Sequence, residues 1–317
     1  WVLHNPRPAE NTHSVQWRAL EAGLRMGIPW PYVFYRFAPS ATFSDAGMLL
    51  MLLSIHDHAE YLQAYHWQHH NHASMQMRGL AHVAVAFPEF RQANGWFEHA
   101  AAVMTGELEY QFYPDGVQKE LTAHYHTVSL RQFDALEQLS QRAGKALPDE
   151  FTRIREAAWH YLAASIRPDG HGPLNNDSDL DHNVAVVRQM AGAFDRPDWL
   201  YRITNGAEGR RPEGLPSAFF PWAGQLISRS GWDASAHWSF FDAGPWGISH
   251  QHDDKLHLSV SAYGRDLLVD SGRFAYQGEI ADKFRKPYTF HSRAHNVILL
   301  DGLGQQANQP ETQQPHP

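Results

Sequence analysis

Cysteine is missing from all 317 residues, which excludes disulfides, thiolate-bound zinc and thiol catalysis without assigning a compartment. Long apolar runs are missing as well. The longest, Met48–Leu53 within GMLLMLLSIH, is far too short to cross a bilayer, so no membrane insertion is expected. Positive charge is scarce: 26 Lys and Arg, mostly Arg, face 34 Asp and Glu, for a formal net charge of −8. Nucleic-acid binding through a basic face is therefore not expected, and an acidic partner needs a local basic cleft. Arg78, Arg91, Lys119, Arg229, Arg265, Arg273 and Arg293 are candidates for one, each otherwise an ordinary solvated charge. No signal peptide is visible. The chain opens on Trp1 rather than Met, so an upstream segment is expected to precede it.

Apolar and aromatic residues are plentiful. At 43% hydrophobic and 13% aromatic, with 11 Trp and 12 Tyr, the chain can fill one large core or two ordinary ones. Most of these rings are packers, and a share suits wide aromatic clefts. The 22 His fall partly in tight clusters. There is no internal repeat.

Periodicity divides the chain. Up to about residue 195 it reads as helices over 14–26, 45–67, 71–87, 90–105, 127–144, 149–166 and 180–194. Ser44 is the expected cap of the second, and Pro29 and Pro31 are expected to follow the end of the first. After Pro216 the reading is strands over 225–229, 237–243, 256–263, 266–270 and 296–302, with Gly231, Gly244, Gly264 and Gly272 as turn signals. The expected division is a helical domain over 1–204, a polar linker over 205–216 and an antiparallel β module over 217–317, short enough to be partial. The final GQQANQPETQQPHP has no apolar face and is expected to be disordered or cut short.

Three constellations carry chemistry. His250 and His252 are two apart and would share one face of a strand. With Asp270 and His295 they offer imidazoles and a carboxylate that suit zinc, or else separate histidines on a wet surface. In HHNHASMQ, Asn71 reads as a helix N-cap with His72 in the first turn; either one of them binds a carboxylate at this helix start, or the two only complete the helix end. Tyr125, between His124 and His126 after a Gly-containing turn, has a phenol suited to proton transfer or to anchoring a helix hairpin.

Four segments, in order, resemble the heparinase II/III-like polysaccharide lyases. They are Asn5–Pro6 followed by WRALEAGLRM, EYQFYPDGVQKELTAHYH (109–126), SHQHDDKLHLSVSAYGRDLLVDSG (249–272) and AHNVILLDGLGQ (294–305). The resemblance implies an α+β multidomain fold: an incomplete N-terminal (α/α) toroid followed by an antiparallel β-sandwich. It implies Asn71 as the group that neutralises a uronate carboxylate, with His72 beside it, Tyr125 as the catalytic tyrosine with His126 next to it, and His250 as a catalytic histidine. His252, Asp270 and His295 become ligands of a structural Zn2+. Gln111, Glu120, His124 and Arg273 are expected to contact substrate. His124 departs from the family pattern, which often has a smaller or different residue before the tyrosine.

The implied chemistry is β-elimination. Neutralising the carboxylate acidifies the uronate C5 proton, a base removes it, and an acid protonates the leaving glycosidic oxygen. Tyr125 is the expected acid; the base is His250, His72 or Tyr125 itself. Paired hydrolase carboxylates are not required. A zinc-dependent hydrolase and a non-catalytic acidic-glycan-binding protein are the alternatives. The partner is an acidic polysaccharide or oligosaccharide, of heparan sulfate, other glycosaminoglycan or alginate type, with light or no sulfation favoured by the charge balance. The family implies a periplasmic or secreted location, and a homodimer is possible.

Overall fold

A computed structural model describes residues 1–69 and 71–305, the side chain of Lys286 excepted; the expected disordered stretch lies outside these from residue 306 onward. The chain forms two compact units. The first is Trp1–Gln111 with Ser129–Thr152, the second Phe112–Val128 with Arg153–Pro317. Residues 112–128 and 153–204 thus join the strands rather than the first helices. Among the described residues no helix is long and apolar enough to cross a membrane.

The first unit holds α1 (Ala19–Gly27), α2 (Pro29–Phe37), α3 (Asp45–Tyr65), α4 (Asn71–Ala86) and α5 (Ala93–Gln111), with most of α6 (Ala123–Ala143) and the start of α7 (Asp149–Ser165). Ser44 caps α3, its Oγ accepting from Gly47 N at 3.2 Å, as expected. Pro29 and Pro31 lie beyond the end of α1, as expected, and in a second helix: Ile28 alone separates the two, and Pro29 occupies the first turn of α2, where a missing N–H costs nothing. α1 crosses α4 at backbone contact through two glycines. A Cβ on Gly79 would stand 2.5 Å from Gly23 O, and one on Gly23 would stand 2.6 Å from Gln76 Cα. Met26, Ile55, Leu62, Met77, Leu80 and Leu108 fill the core.

The second unit adds α8 (Val184–Ala193), α9 (Pro197–Ile203), a five-stranded antiparallel meander and α10 (Glu279–Phe284). The strands are β1 (Ala218–Phe220), β2 (Gln225–Arg229), β3 (Trp238–Asp242), β4 (His257–Ala262) and β5 (Arg265–Leu268), paired in sequence order. Alternation puts Ile227, Trp238 and Phe240 on one face, packed with Val117, Leu121, Tyr161 and Ala164. Tyr161 anchors this contact by donating to Gln225 Oε1 at 2.8 Å.

Two strand expectations fail. Residues 296–302 form no strand: Ile298 and Leu300 are exposed, and Leu300 makes only an isolated bridge to Leu303. The apolar residues there read as a strand, but none of them pairs into the sheet. His250 and His252 lie on the loop between β3 and β4, not on a strand, so their spacing does not give them a common face.

Candidate active site

The site grows from the start of α6. Gly116 turns the chain at φ 89°, against Ala157, where no side chain fits. Asp115 accepts from Trp222 N at 2.8 Å and fastens this turn to the sheet. Two hydroxyls then cap α6: Thr122 Oγ1 accepts from Tyr125 N at 2.9 Å and Ser178 Oγ from Ala123 N at 3.0 Å. The capped first turn fixes where Tyr125 points. His126 is buried, with Nδ1 accepting from Gln118 N at 3.3 Å and Nε2 meeting Ala158 O at 3.0 Å. A carbonyl needs a donor, so Nε2 carries the proton and the ring is neutral. Burial pushes its pKa down to about 4. His126 is thus a strut under Tyr125, not a reacting group.

His250 sits in the left-handed region at φ 59°, an uncommon conformation for a residue other than glycine. Its ring stacks on Tyr125 with centroids 3.7 Å apart and planes at 11°. Nδ1 pairs with Glu120 Oε2. Glu120 is itself buried and held by Gln118 Nε2 at 3.0 Å, so it orients His250 instead of meeting substrate directly. With Nδ1–H toward the carboxylate, Nε2 keeps its lone pair, the form of a general base.

On the far side of Tyr125, its hydroxyl lies 2.8 Å from that of Tyr276, which donates to Asp177 Oδ2 at 3.0 Å. Arg285 donates to the same Oδ2 at 2.6 Å, and Asp177 Oδ1 meets His252 Nε2 at 3.0 Å. Asp177 is fully buried. Burial opposes its charge, but His252 and then Arg285 prevail and hold its pKa below the usual carboxylate range. Arg273 is engaged by Asp179, at 2.6 Å from Nε, and His124 Nδ1 by Asp181 at 2.7 Å. Both expected substrate contacts therefore already engage a carboxylate.

His252, Asp270 and His295 converge, all buried, with candidate ligand atoms within 4.8 Å of one another. His295 Nδ1 meets Asp270 Oδ2 at 2.7 Å. Each ring has one nitrogen turned to a carboxylate and the other, His252 Nδ1 and His295 Nε2, buried without a hydrogen-bond partner. Imidazoles oriented by carboxylates with their remaining lone pairs buried make a donor set that fits a metal ion.

Tyr125, His126, His250, Glu120, His124, Arg273 and the three candidate ligands all belong to the second unit; Asn71, His72 and Gln111 belong to the first. Asn71 is the first residue of α4 and is buried, with Oδ1 lacking a hydrogen-bond partner. The His72 ring packs 5.1 Å from Trp67. Gln111 donates to Glu107 Oε2 at 2.8 Å, and Glu107 Oε1 accepts from His69 N at 2.6 Å, which steadies the approach to α4.

Sequence reasoning missed Asp177, Tyr276 and Arg285. A signal existed for the first: the run Asn175–Asn176–Asp177–Ser178 is polar and lies between helices, yet it is wholly buried. Asn175 and Asn176 both donate to Leu121 O, at 2.6 and 3.0 Å, and Asn176 Oδ1 accepts from His252 N at 2.8 Å. This turn ties the start of α6 to the histidine loop.

Two family models match the chain: Heparinase II/III N-terminus over residues 1–197 and Heparinase II/III-like, C-terminal over residues 212–315. A heparin-sulfate lyase of Pedobacter heparinus is 28% identical over 95% of this chain and 46% of its own length. One of Bacteroides stercoris is 26% identical, over 90% and 43%. The crystal structure of a heparan sulfate lyase HepC mutant from Pedobacter heparinus superposes with TM-score 0.77 at 27% identity, over 95% of this chain and 48% of that one. A crystal structure of heparinase III shares the fold at TM-score 0.86 and 22% identity, over 97% and 50%. The chain spans about half the length of the curated relatives it matches.

Proposed function

Because this chain belongs to the heparinase II/III family, we propose that it carries the reacting groups of a polysaccharide lyase that cleaves a heparan-sulfate-type glycosaminoglycan by β-elimination. The observation that carries this reading is the Tyr125–His250 stack, backed by Glu120 on one side and Tyr276 on the other. A phenol and an imidazole at that spacing can serve one sugar ring as acid and base.

His250 Nε2 takes the C5 proton, the C5–H electrons form the C4–C5 double bond, and the C4–O bond breaks as Tyr125 gives its proton to the departing oxygen. For the opposite C5 stereochemistry Tyr125, having given its own proton to His250 Nε2, takes the C5 proton as a phenolate and passes it to the departing oxygen on the same face. The family resemblance assigns Asn71, with His72 beside it, to the uronate carboxylate, whose neutralisation makes C5–H acidic enough to lose. An oxocarbenium ion is not formed, so paired hydrolase carboxylates are not needed.

We extend the same reading to fold and metal. The helices are part of an incomplete α/α toroid and the sheet is one layer of a β-sandwich. His252, Asp270 and His295 would hold a structural zinc, which when bound supplies a cross-link between loops and no step of the elimination.

The test is ultraviolet absorbance of the conjugated unsaturated uronate, with full-length protein on heparan sulfate, hyaluronan, chondroitin and alginate. A rise on heparan sulfate that Tyr125→Phe removes supports the reading. Flat absorbance with new reducing ends means hydrolysis and overturns it.

A further inference from the structure

Tyr276 stands on the irregular segment between β5 and α10, far in sequence from α6. Its phenol oxygen lies between two others: the Tyr125 hydroxyl at 2.8 Å and Asp177 Oδ2 at 3.0 Å. The Tyr276 hydroxyl is the donor in its contact with Asp177 Oδ2, an oxygen that also accepts from the Arg285 guanidinium. Having spent its only proton there, Tyr276 accepts from Tyr125. The carboxylate end therefore sets the direction of the whole chain, Tyr125 to Tyr276 to Asp177. The Tyr276 ring is held as firmly as its oxygen, because the guanidiniums of Arg273 and Arg285 lie 4.6 and 4.4 Å from its centroid. Arg273 is itself fixed by Asp179 and Arg285 by Asp177. Burial, then the bond with Tyr125 and the charge of Asp177, raise the pKa of Tyr276, so it stays a neutral donor throughout.

We propose that Tyr276 is the positioning residue for Tyr125, accepting its hydroxyl before reaction and donating to its oxygen after the proton has left. This rests on the reading of Tyr125 as the lyase acid. When the C4–O bond breaks, the Tyr125 O–H bond breaks with it; the proton goes to the glycosidic oxygen and the electron pair stays on the Tyr125 oxygen. Tyr276 then turns its O–H from Asp177 to the phenolate and loses no proton. The turn is cheap because Asp177 keeps two donors, Arg285 on Oδ2 and His252 on Oδ1, when Tyr276 swings away. A phenylalanine at 276 would preserve the ring and its two guanidiniums but leave the phenolate without a donor.

Two measurements on the full-length enzyme decide it. Tyr276→Phe is expected to lower kcat on heparan sulfate about ten- to hundredfold, with KM held within about threefold. A change in KM alone, with kcat intact, overturns the proposal. The second measurement needs no turnover. With 3-fluorotyrosine at position 125 and no substrate, Tyr276→Phe is expected to move the fluorine resonance, since the hydroxyl loses its acceptor. An unmoved resonance overturns the proposal even if the enzyme is active. If wild type cleaves no polymer, the lyase reading fails while the fluorine spectrum still decides the positioning. Should Tyr276→Phe not fold, 3-fluorotyrosine at 276, compared between wild type and Tyr125→Phe, reads the same bond from its other end.

Discussion

The imidazole of His250 lies flat against the phenol of Tyr125, 3.7 Å between centroids, while its Nδ1 is taken by Glu120. Phenol and imidazole are therefore one stacked assembly, and losing either ring would release the other.

Tyr125→Phe keeps the stacking surface and removes the proton. Unsaturated product should form about 10²–10⁴-fold more slowly, the usual weight of one general acid or base. Thermal unfolding should be little altered. An unchanged rate would remove Tyr125 from the mechanism.

Glu120→Gln leaves the shape of the pair but exchanges a carboxylate for an amide that can present N–H to His250 Nδ1. The ring then loses its orienting charge, and kcat should fall about ten- to hundredfold. Equal rates for Glu120→Gln and wild type would mean that His250 does not act through Nε2.

Acid should loosen the protein before its carboxylates titrate. Burial holds the pKa of His58 at about 3, and that of His126 and His160 at about 4, the last aided by Arg202 and Arg196. Unfolded histidines protonate near pH 6.5. Between roughly pH 6.5 and 4 the unfolded chain thus binds more protons than the folded one, and stability falls as pH falls. Melting temperature followed from pH 7.5 to 4.5 should decline across that window; a flat profile would show that these rings reach water.

Full-length protein should carry about one zinc per chain by atomic emission, and His295→Ala should lose it. A chelator should lower the melting temperature of wild type and leave that of the variant where it is. Metal-free wild type that ignores the chelator would mean that the buried triad works as a hydrogen-bonded cluster.

Gly79→Ala forces a methyl into the Gly23 carbonyl and should cost about 1–3 kcal/mol by denaturant unfolding. Gly106→Ala, in α5 with nothing within 4 Å of its Cβ, should instead stabilise by about 0.5–1 kcal/mol. Equal effects would show that α1 and α4 can part without penalty.

What the sequence made legible was whatever depends on short-range order. Ser44 announces α3, and β2 keeps its expected bounds although its buried face is Gln225, Ile227 and Arg229 and its Leu226 is exposed. The family motifs pointed to Tyr125, His250 and the buried triad. What stayed hidden depends on contacts across long separations. Pro29 was ambiguous because proline opens a helix as readily as it follows one. The histidine spacing suggested a strand only because two-residue periodicity cannot be told from a loop with one left-handed residue, here His250. Asp177 had only the polar run around it as a signal and Tyr276 had none; both matter through Tyr125, 151 residues before Tyr276.

The cap that Ser178 places on α6 comes from 55 residues downstream of Ala123. On a ribosome, the first turn bearing Tyr125 is therefore made well before its second cap exists. A mutation in the buried Asn175–Ser178 turn would therefore loosen the first turn of α6 without touching Tyr125 itself.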